Sequence, residues 1–323
     1  MKLNMVQAIN LALKQEMEKD DKVIILGEDI GKNGGVFRVT EGLWQQFGDE
    51  RVIDTPLAEL GIVGTSIGLA VSGMKPVAEI QFDGFTPPAL DQIISHVGRI
   101  RNRSRGRFHL QMVIRFPSGG GIRALEHHSE IMDTYLTHAP GIKVVVPATP
   151  YDAKGLLVSA IRDKDPVVFM EPKKVYRAIK EEVPEEEYTI PIGEAKVIRE
   201  GKDVTVIAWG AMVKTVNEAV VKIGDKYSVE VINLRSLKPL DTNAVVNSVK
   251  KTGRCVIVQE GFRTLGFAAE LIALINEKTF LNLEAPIKRV TGYDVPTPLP
   301  KLENYFLPSV DKVVNAVEDV MRF

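Results

Sequence analysis

A single cysteine in 323 residues leaves nothing for an internal disulfide to join. Cys255 lies in the apolar run Arg254-Cys255-Val256-Ile257-Val258 and reads as a core thiol in a reducing compartment. Charge of one sign is also lacking. Lys and Arg number 41 against 42 Asp and Glu, so the net charge of -1 provides no field to hold a polyanion or an anionic lipid surface. The basic run Arg99, Arg101, Arg103, Arg105 and Arg107 has no stacking aromatics beside it. It reads as a solvated or subunit-contacting face, and no nucleic-acid partner is expected. The longest weakly polar stretch, Gly61 to Met74, is too short to span a membrane and carries Thr65, Ser66 and Ser72. No basic, apolar and small-residue leader opens the chain, so a cytoplasmic location, or an organelle matrix after processing, is expected. CxxC, HExxH, P-loop and GxGxxG patterns are all missing, which removes the common zinc sites and the glycine-rich phosphate cradles.

What is present is a chain 45% hydrophobic and 26% charged, long enough for about two domains. Val23 to Gly27, Pro76 to Phe82, Gln111 to Phe116, Lys143 to Pro147 and Pro166 to Met170 read as strands separated by helical periods. That alternation predicts a mostly parallel sheet covered by helices. Leu90, Ile93, Ile94, Val97 and Ile100 predict one amphipathic helix from Pro87 to about Arg105, and Thr149-Pro150 starts another running to about Asp163. Lys180 to Pro191 holds five glutamates and two prolines, which predicts an exposed connection. Strands then resume at Val204 to Trp209, Val229 to Leu234, Cys255 to Glu260 and Ile287 to Val290, with a last helix from about Val310 to Met321. The expected architecture is α/β, two doubly wound domains: residues 1–180, a linker at 181–191, and residues 192–323.

Three places in this pattern can carry chemistry. Glu59 opens a helix punctuated by Gly61, Gly64 and Gly68, whose spacing puts the glycines on one face and permits close approach of another backbone. A carboxylate there is either drawn into an interface or simply favoured by the helix dipole. Gly64-Thr65-Ser66-Ile67-Gly68 matches the G-x-S-x-G of a hydrolase elbow, with His127 or His128 as a base, but the elbow needs a strand leading into the serine. Leu60 to Val71 reads as continuous helix, which leaves Ser66 as a small packing residue. His127-His128 follow the loop Pro117-Ser118-Gly119-Gly120-Gly121 at the carboxyl end of a strand, where open α/β sheets place ligands. Such an imidazole is either a proton donor or a structural group.

Taken together, Asp54-Thr55-Pro56-Leu57-Ala58-Glu59, Pro76-Val77-Ala78-Glu79-Ile80-Gln81-Phe82, His127-His128-Ser129, Ala139 to Val144, Asp163-Lys164-Asp165-Pro166 and Leu283-Glu284-Ala285-Pro286 occur in an order that resembles the β subunits of 2-oxo acid dehydrogenase E1 components. The resemblance implies a transketolase-like pyrimidine-binding domain followed by a transketolase C-terminal-like domain. It also implies assembly with α subunits as α2β2, with thiamin diphosphate at the α/β interface. On this chain the aminopyrimidine would lie against Leu57, Glu59, Gln81 and Phe85, a position where branched-chain members carry tyrosine. Magnesium and the diphosphate would fall to the α chain, which fits the missing Gly-Asp-Gly signature here. Glu59 would bond the pyrimidine N1' and His128 would assist acyl transfer to the lipoyl arm of the E2 acyltransferase. A structural potassium ion would take oxygens from Met112, Ala160, Asp163 and Asp165.

The substrate, a 2-oxo acid, is read from finer detail. Glu171-Pro172-Lys173, Tyr176-Arg177-Ala178 and Gly292-Tyr293-Asp294 resemble branched-chain members, whereas Glu182-Val183-Pro184 also suits pyruvate members. Branched-chain acids are the expectation, with pyruvate or acetoin as the alternative. A non-catalytic interaction subunit is the reading from a different class.

Overall fold

The computed structural model describes Met1–Phe323, arranged as two α/β units. The first sheet has seven strands in the order Ser236–Lys238, Lys143–Val145, Val167–Pro172, Val113–Ser118, Lys75–Glu79, Val23–Gly27 and Val52–Asp54. All neighbours are parallel except the first pair. The central strands are buried along their whole length because helices cover both faces, which is why Val23–Gly27 and Val113–Ser118 show no polar alternation. One covering pair is Met5–Lys19 against Pro150–Arg162. The former starts on a capping box between Asn4 and Gln7; the latter starts at Thr149, whose hydroxyl accepts the Asp152 N–H.

The second sheet orders Lys288–Val290, Cys255–Val258, Val204–Ala208, Val229–Asn233 and Lys196–Arg199, with only the last strand antiparallel. Helix Val310–Met321 closes the chain at the position its sequence predicts. Both large apolar clusters draw side chains from both units, for example Val113 with Val206, and Ile114 with Ile257. The two units therefore share their cores.

Three details differ from the sequence reading. The helix expected over Pro87 to Arg105 is broken into a tight turn at Pro87–Ala89, a wide π turn at Gln92–Val97 and a short helix at Ile100–Arg103. Two prolines sit at its start, and Gly98 lies against the Pro140 carbonyl so closely that no side chain fits there. The glutamate-rich connection is tied down: Glu181–Glu182 pairs with Lys2–Leu3, and Val183 is fully buried. The buried Lys154 Nζ donates to the carbonyls of Pro184, Glu185 and Glu186 at 2.6, 3.0 and 2.9 Å. Finally, Ser236–Lys238 leaves the second unit and joins the first sheet, an edge strand too short to show a pattern.

Candidate active site

Neighbouring parallel strands deliver the candidate residues from their carboxyl ends. Val23–Gly27 runs into Glu28 and Asp29, Val52–Asp54 into Glu59, Lys75–Glu79 into Gln81 and Phe85, and Val113–Ser118 into the loop that carries His127 and His128. The sheet geometry thus gathers segments separated by up to 100 residues (128 − 28) along one rim.

Glu59 is the first residue of helix Glu59–Val71 and is 8% exposed. Ala58, before it, supplies no side-chain cap, so the free helix N–H groups favour a carboxylate in this first turn. Its surroundings are unusual for a monomer. Leu57 is 69% and Leu60 50% exposed. A methyl group added at Gly68 would meet nothing within 4 Å, one at Gly61 only Ala58, and one at Gly64 only the Gln92 side-chain amide at 3.7 Å, so no backbone of this chain covers the glycine face.

Gln81 Nε2 donates to Asp29 Oδ2 at 3.1 Å. Burial raises the Glu28 carboxyl above its usual range, and the nearby charges of Asp29 and Glu59 push it further. Glu59, Glu28, Asp29 and Gln81 therefore share one electrostatic neighbourhood. Phe85 meets Phe82 edge to face at 5.4 Å and His128 at 5.1 Å, while Phe82 and His128 pack at 4.5 Å. His127 is largely exposed beside Glu126 and Glu130, whereas His128 is half-buried and its Nδ1 has no hydrogen-bond partner within the protein. Gly84 packs directly on the His127 carbonyl, so any side chain there would push the histidine turn away.

Beneath this rim lie charges that sequence reasoning did not pick out. Arg115, 1% exposed, donates to Glu171 at 2.5 and 2.8 Å and also contacts Glu79. Tyr176 donates to the same Glu171 at 2.5 Å and packs against Phe37, which packs against Phe82. Asp83 and Lys173 are likewise buried, Asp83 pushed up to about 7 and Lys173 down to about 8 by loss of solvent. The visible signal was a charged residue inside an apolar strand run, as with Glu79 and Arg115.

Other candidates fall elsewhere. Ser66 is buried in mid-helix and donates to the Ile62 carbonyl at 2.8 Å, with no strand leading into it. Met112, Ala160, Asp163 and Asp165 gather where helix Pro150–Arg162 meets strand Val167–Pro172. There the Met112 carbonyl accepts the Val167 N–H, the Ala160 carbonyl that of Asp163, and the Asp163 carboxylate the Lys143 ammonium and the Asp165 N–H. No group of three or more His, Cys, Asp or Glu is placed to hold a metal ion. No helix is long and apolar enough to cross a membrane.

A buried carboxylate, an amide and an aromatic wall suit a flat nitrogen heterocycle. These residues fit the pyrimidine half of thiamin diphosphate.

Family models match on both units: the transketolase pyrimidine-binding domain over residues 1–179 and the transketolase C-terminal domain over residues 193–313. Fold and site thus define a two-unit protein of the transketolase type. A solved structure described as a split-gene transketolase, an inactive β4 tetramer, superposes with a TM-score of 0.79 over 100% of this chain and 99% of that one, at 23% identity. Much closer in sequence is the pyruvate dehydrogenase E1 component subunit β of Acholeplasma laidlawii, 53% identical over 99% of this chain and 98% of that protein. The Staphylococcus aureus protein of the same name is 49% identical over 99% of each. The chain belongs to the family of E1 β subunits of 2-oxo acid dehydrogenases. Membership implies dependence on thiamin diphosphate.

Proposed function

We propose that this chain is the β half of a pyruvate dehydrogenase E1, active with an α partner and passing its acyl group to lipoyl arms of an E2 acyltransferase. The observation that carries the reading is the open glycine face beside the buried Glu59, with Leu57 and Leu60 uncovered: half a site, waiting for a second chain. Pyruvate replaces the branched-chain preference drawn from local motifs, because relatives matching along the whole chain carry the pyruvate name. Phe85 agrees with this choice, since it lacks the hydroxyl that branched-chain members have at the matching position.

Bound at this rim, thiamin diphosphate supplies a nucleophilic carbon and an electron sink for decarboxylation. Glu59 would hold a proton toward the pyrimidine, Leu57 and Phe85 would pack on it, and Gln81, itself steadied by Asp29, would supply an amide. His128 stands on the Phe82–Phe85 wall, where it assists transfer to the lipoyl sulfur. Magnesium and the diphosphate belong to the α chain in this reading. A potassium ion, if held, would take oxygens of Met112, Ala160, Asp163 and Asp165.

Reconstitution with the α partner, magnesium and cofactor tests the proposal. The kcat/KM for pyruvate is expected to exceed that for 3-methyl-2-oxobutanoate by about tenfold or more. A preference for the branched acid would restore the other substrate; no carbon dioxide from either acid would end the reading.

A further inference from the structure

The segment from Gly119 to Met132 carries both histidines and contains only one short turn, Glu126–His128. It is pinched at its neck by the Gly119 N–H donating to the Glu130 carbonyl at 2.9 Å. Beyond that, side-chain carboxylates on other elements hold its backbone. Asp83 accepts from the Ser118 hydroxyl at 2.6 Å and from the Met132 N–H at 3.1 Å, one bond at each end of the segment. Glu260 accepts the Gly120 N–H at 2.6 Å, and Glu303 accepts those of Gly121 and Arg123 at 2.8 and 3.1 Å. Asp83 lies in the first unit; Glu260 and Glu303 lie in the second. All three carboxylates are buried.

Buried anions gathered around one loop need a cation nearby, or they take up protons and their hydrogen bonds weaken. Lys173 is buried near enough for its charge to act on all three, without a direct ion pair to any of them. It is 3% exposed, its Nζ has no hydrogen-bond partner within the protein, and it lies 5.7 Å from the centre of the Phe82 ring on which His128 packs. The other charged groups in this neighbourhood are Lys174, which attracts Glu260, and Asp133, which repels both Glu260 and Asp83 and accepts from the Trp209 indole N–H.

We propose that Lys173 is a positioning residue for His128: its buried ammonium is the shared counter-ion of Asp83, Glu260 and Glu303, and so holds the histidine loop across the junction of the two units. The inference rests on the acyl-transfer role of His128 stated above. Without the ammonium the carboxylates release or weaken their grip on the loop N–H groups. The His128 ring then drifts on Phe82, and a step that depends on its placement slows. Decarboxylation is assigned to Leu57, Glu59, Gln81 and Phe85, none of which lies on this loop. Burial pushes Lys173 down to about 8, so the transfer rate of the parent enzyme falls as the ammonium is lost on the alkaline side.

The test uses the reconstituted α and β chains with magnesium and thiamin diphosphate. Carbon dioxide release with an artificial electron acceptor is measured beside acylation of a free lipoyl domain. Lys173→Met is expected to lower kcat for lipoyl acylation by about tenfold to 100-fold, leaving its KM and the artificial-acceptor rate within about threefold. Hydrogen exchange over residues 119–132 should speed up. Lys173→Arg should recover most of the acylation rate and move the alkaline limb to higher pH, because a guanidinium does not titrate there. Unchanged acylation and exchange in Lys173→Met would overturn the proposal. So would an arginine variant as poor as the methionine one, or a parallel loss of both activities. Should Lys173→Met not fold, the arginine pH profile and Glu303→Gln decide, the latter being required to slow acylation while sparing decarboxylation. A parent enzyme that releases no carbon dioxide would sink the functional reading, while the exchange comparison would still judge the loop.

Discussion

Replacing Glu59 by Gln separates the catalytic reading of this residue from the purely electrostatic one. The side chains have the same size, and the site is 8% exposed at the first turn of a helix, so packing changes little. Loss of a first-turn anion costs about 0.3 to 1 kcal/mol through the helix dipole. Relief of the repulsion that Glu59 exerts on Glu28 offsets part of that. Stability should therefore stay within about 1 kcal/mol of the parent, measured by urea unfolding. Turnover should behave differently. A positioned acid-base group is worth about 100-fold to 10,000-fold, or about 2.7 to 5.4 kcal/mol of barrier at about 1.36 kcal/mol per tenfold. The assay is carbon dioxide release with an artificial acceptor in the reconstituted enzyme, with native mass spectrometry to verify α2β2 assembly. Turnover within a few-fold of the parent in an intact heterotetramer would refute the reasoning.

Arg115→Met should destabilise the chain by about 3 to 5 kcal/mol, because it strands Glu79 and Glu171 as buried unpaired carboxylates; a shift below 1 kcal/mol in urea unfolding would contradict this. Asp83 is pushed up from 3.8 to about 7, so the folded state binds more protons than the unfolded one between those values and this group's contribution to stability falls as pH rises through that window. Asp83→Asn should flatten the fall between pH 5 and 7 by up to about 1.4 kcal/mol per pH unit, and an unchanged slope would count against it. Ser66→Ala should shift stability by less than about 1 kcal/mol, since only a bond to the Ile62 carbonyl is lost, and the isolated chain should cleave no activated ester above background.

The strands were legible wherever burial on both faces leaves an unbroken apolar run, as in Val23–Gly27, whereas Glu59 and His128 were singled out by the glycine-punctuated helix and the glycine loop beside them, and their roles stand as proposals. What escaped the sequence depends on partners far away in the chain. Asp83 and Lys173 matter because their buried charges act on one another although 90 residues (173 − 83) separate them in sequence. Composition made Lys180 to Pro191 look solvated, whereas its backbone carbonyls cage Lys154, and carbonyls belong to every residue type alike. The periodicity over Leu90 to Ile100 was genuine, but Gly98 answers to the Pro140 carbonyl instead of to its own helix.

The strand Ser236–Lys238, lent by the second unit to the first sheet, bears on how the chain is born. Until it emerges from the ribosome, Lys143–Val145 presents a bare row of amides and carbonyls along one side. The delay is 93 residues (238 − 145), about 5 to 19 s at ordinary rates of synthesis. Throughout that interval the nascent sheet has a sticky edge, and chaperone capture or pairing with a neighbouring nascent chain competes with completion of the native ladder. A ribosome stalled before Ser236 would release a nearly finished first unit that is prone to aggregate, and a truncated gene ending near residue 190 would express the same fault permanently.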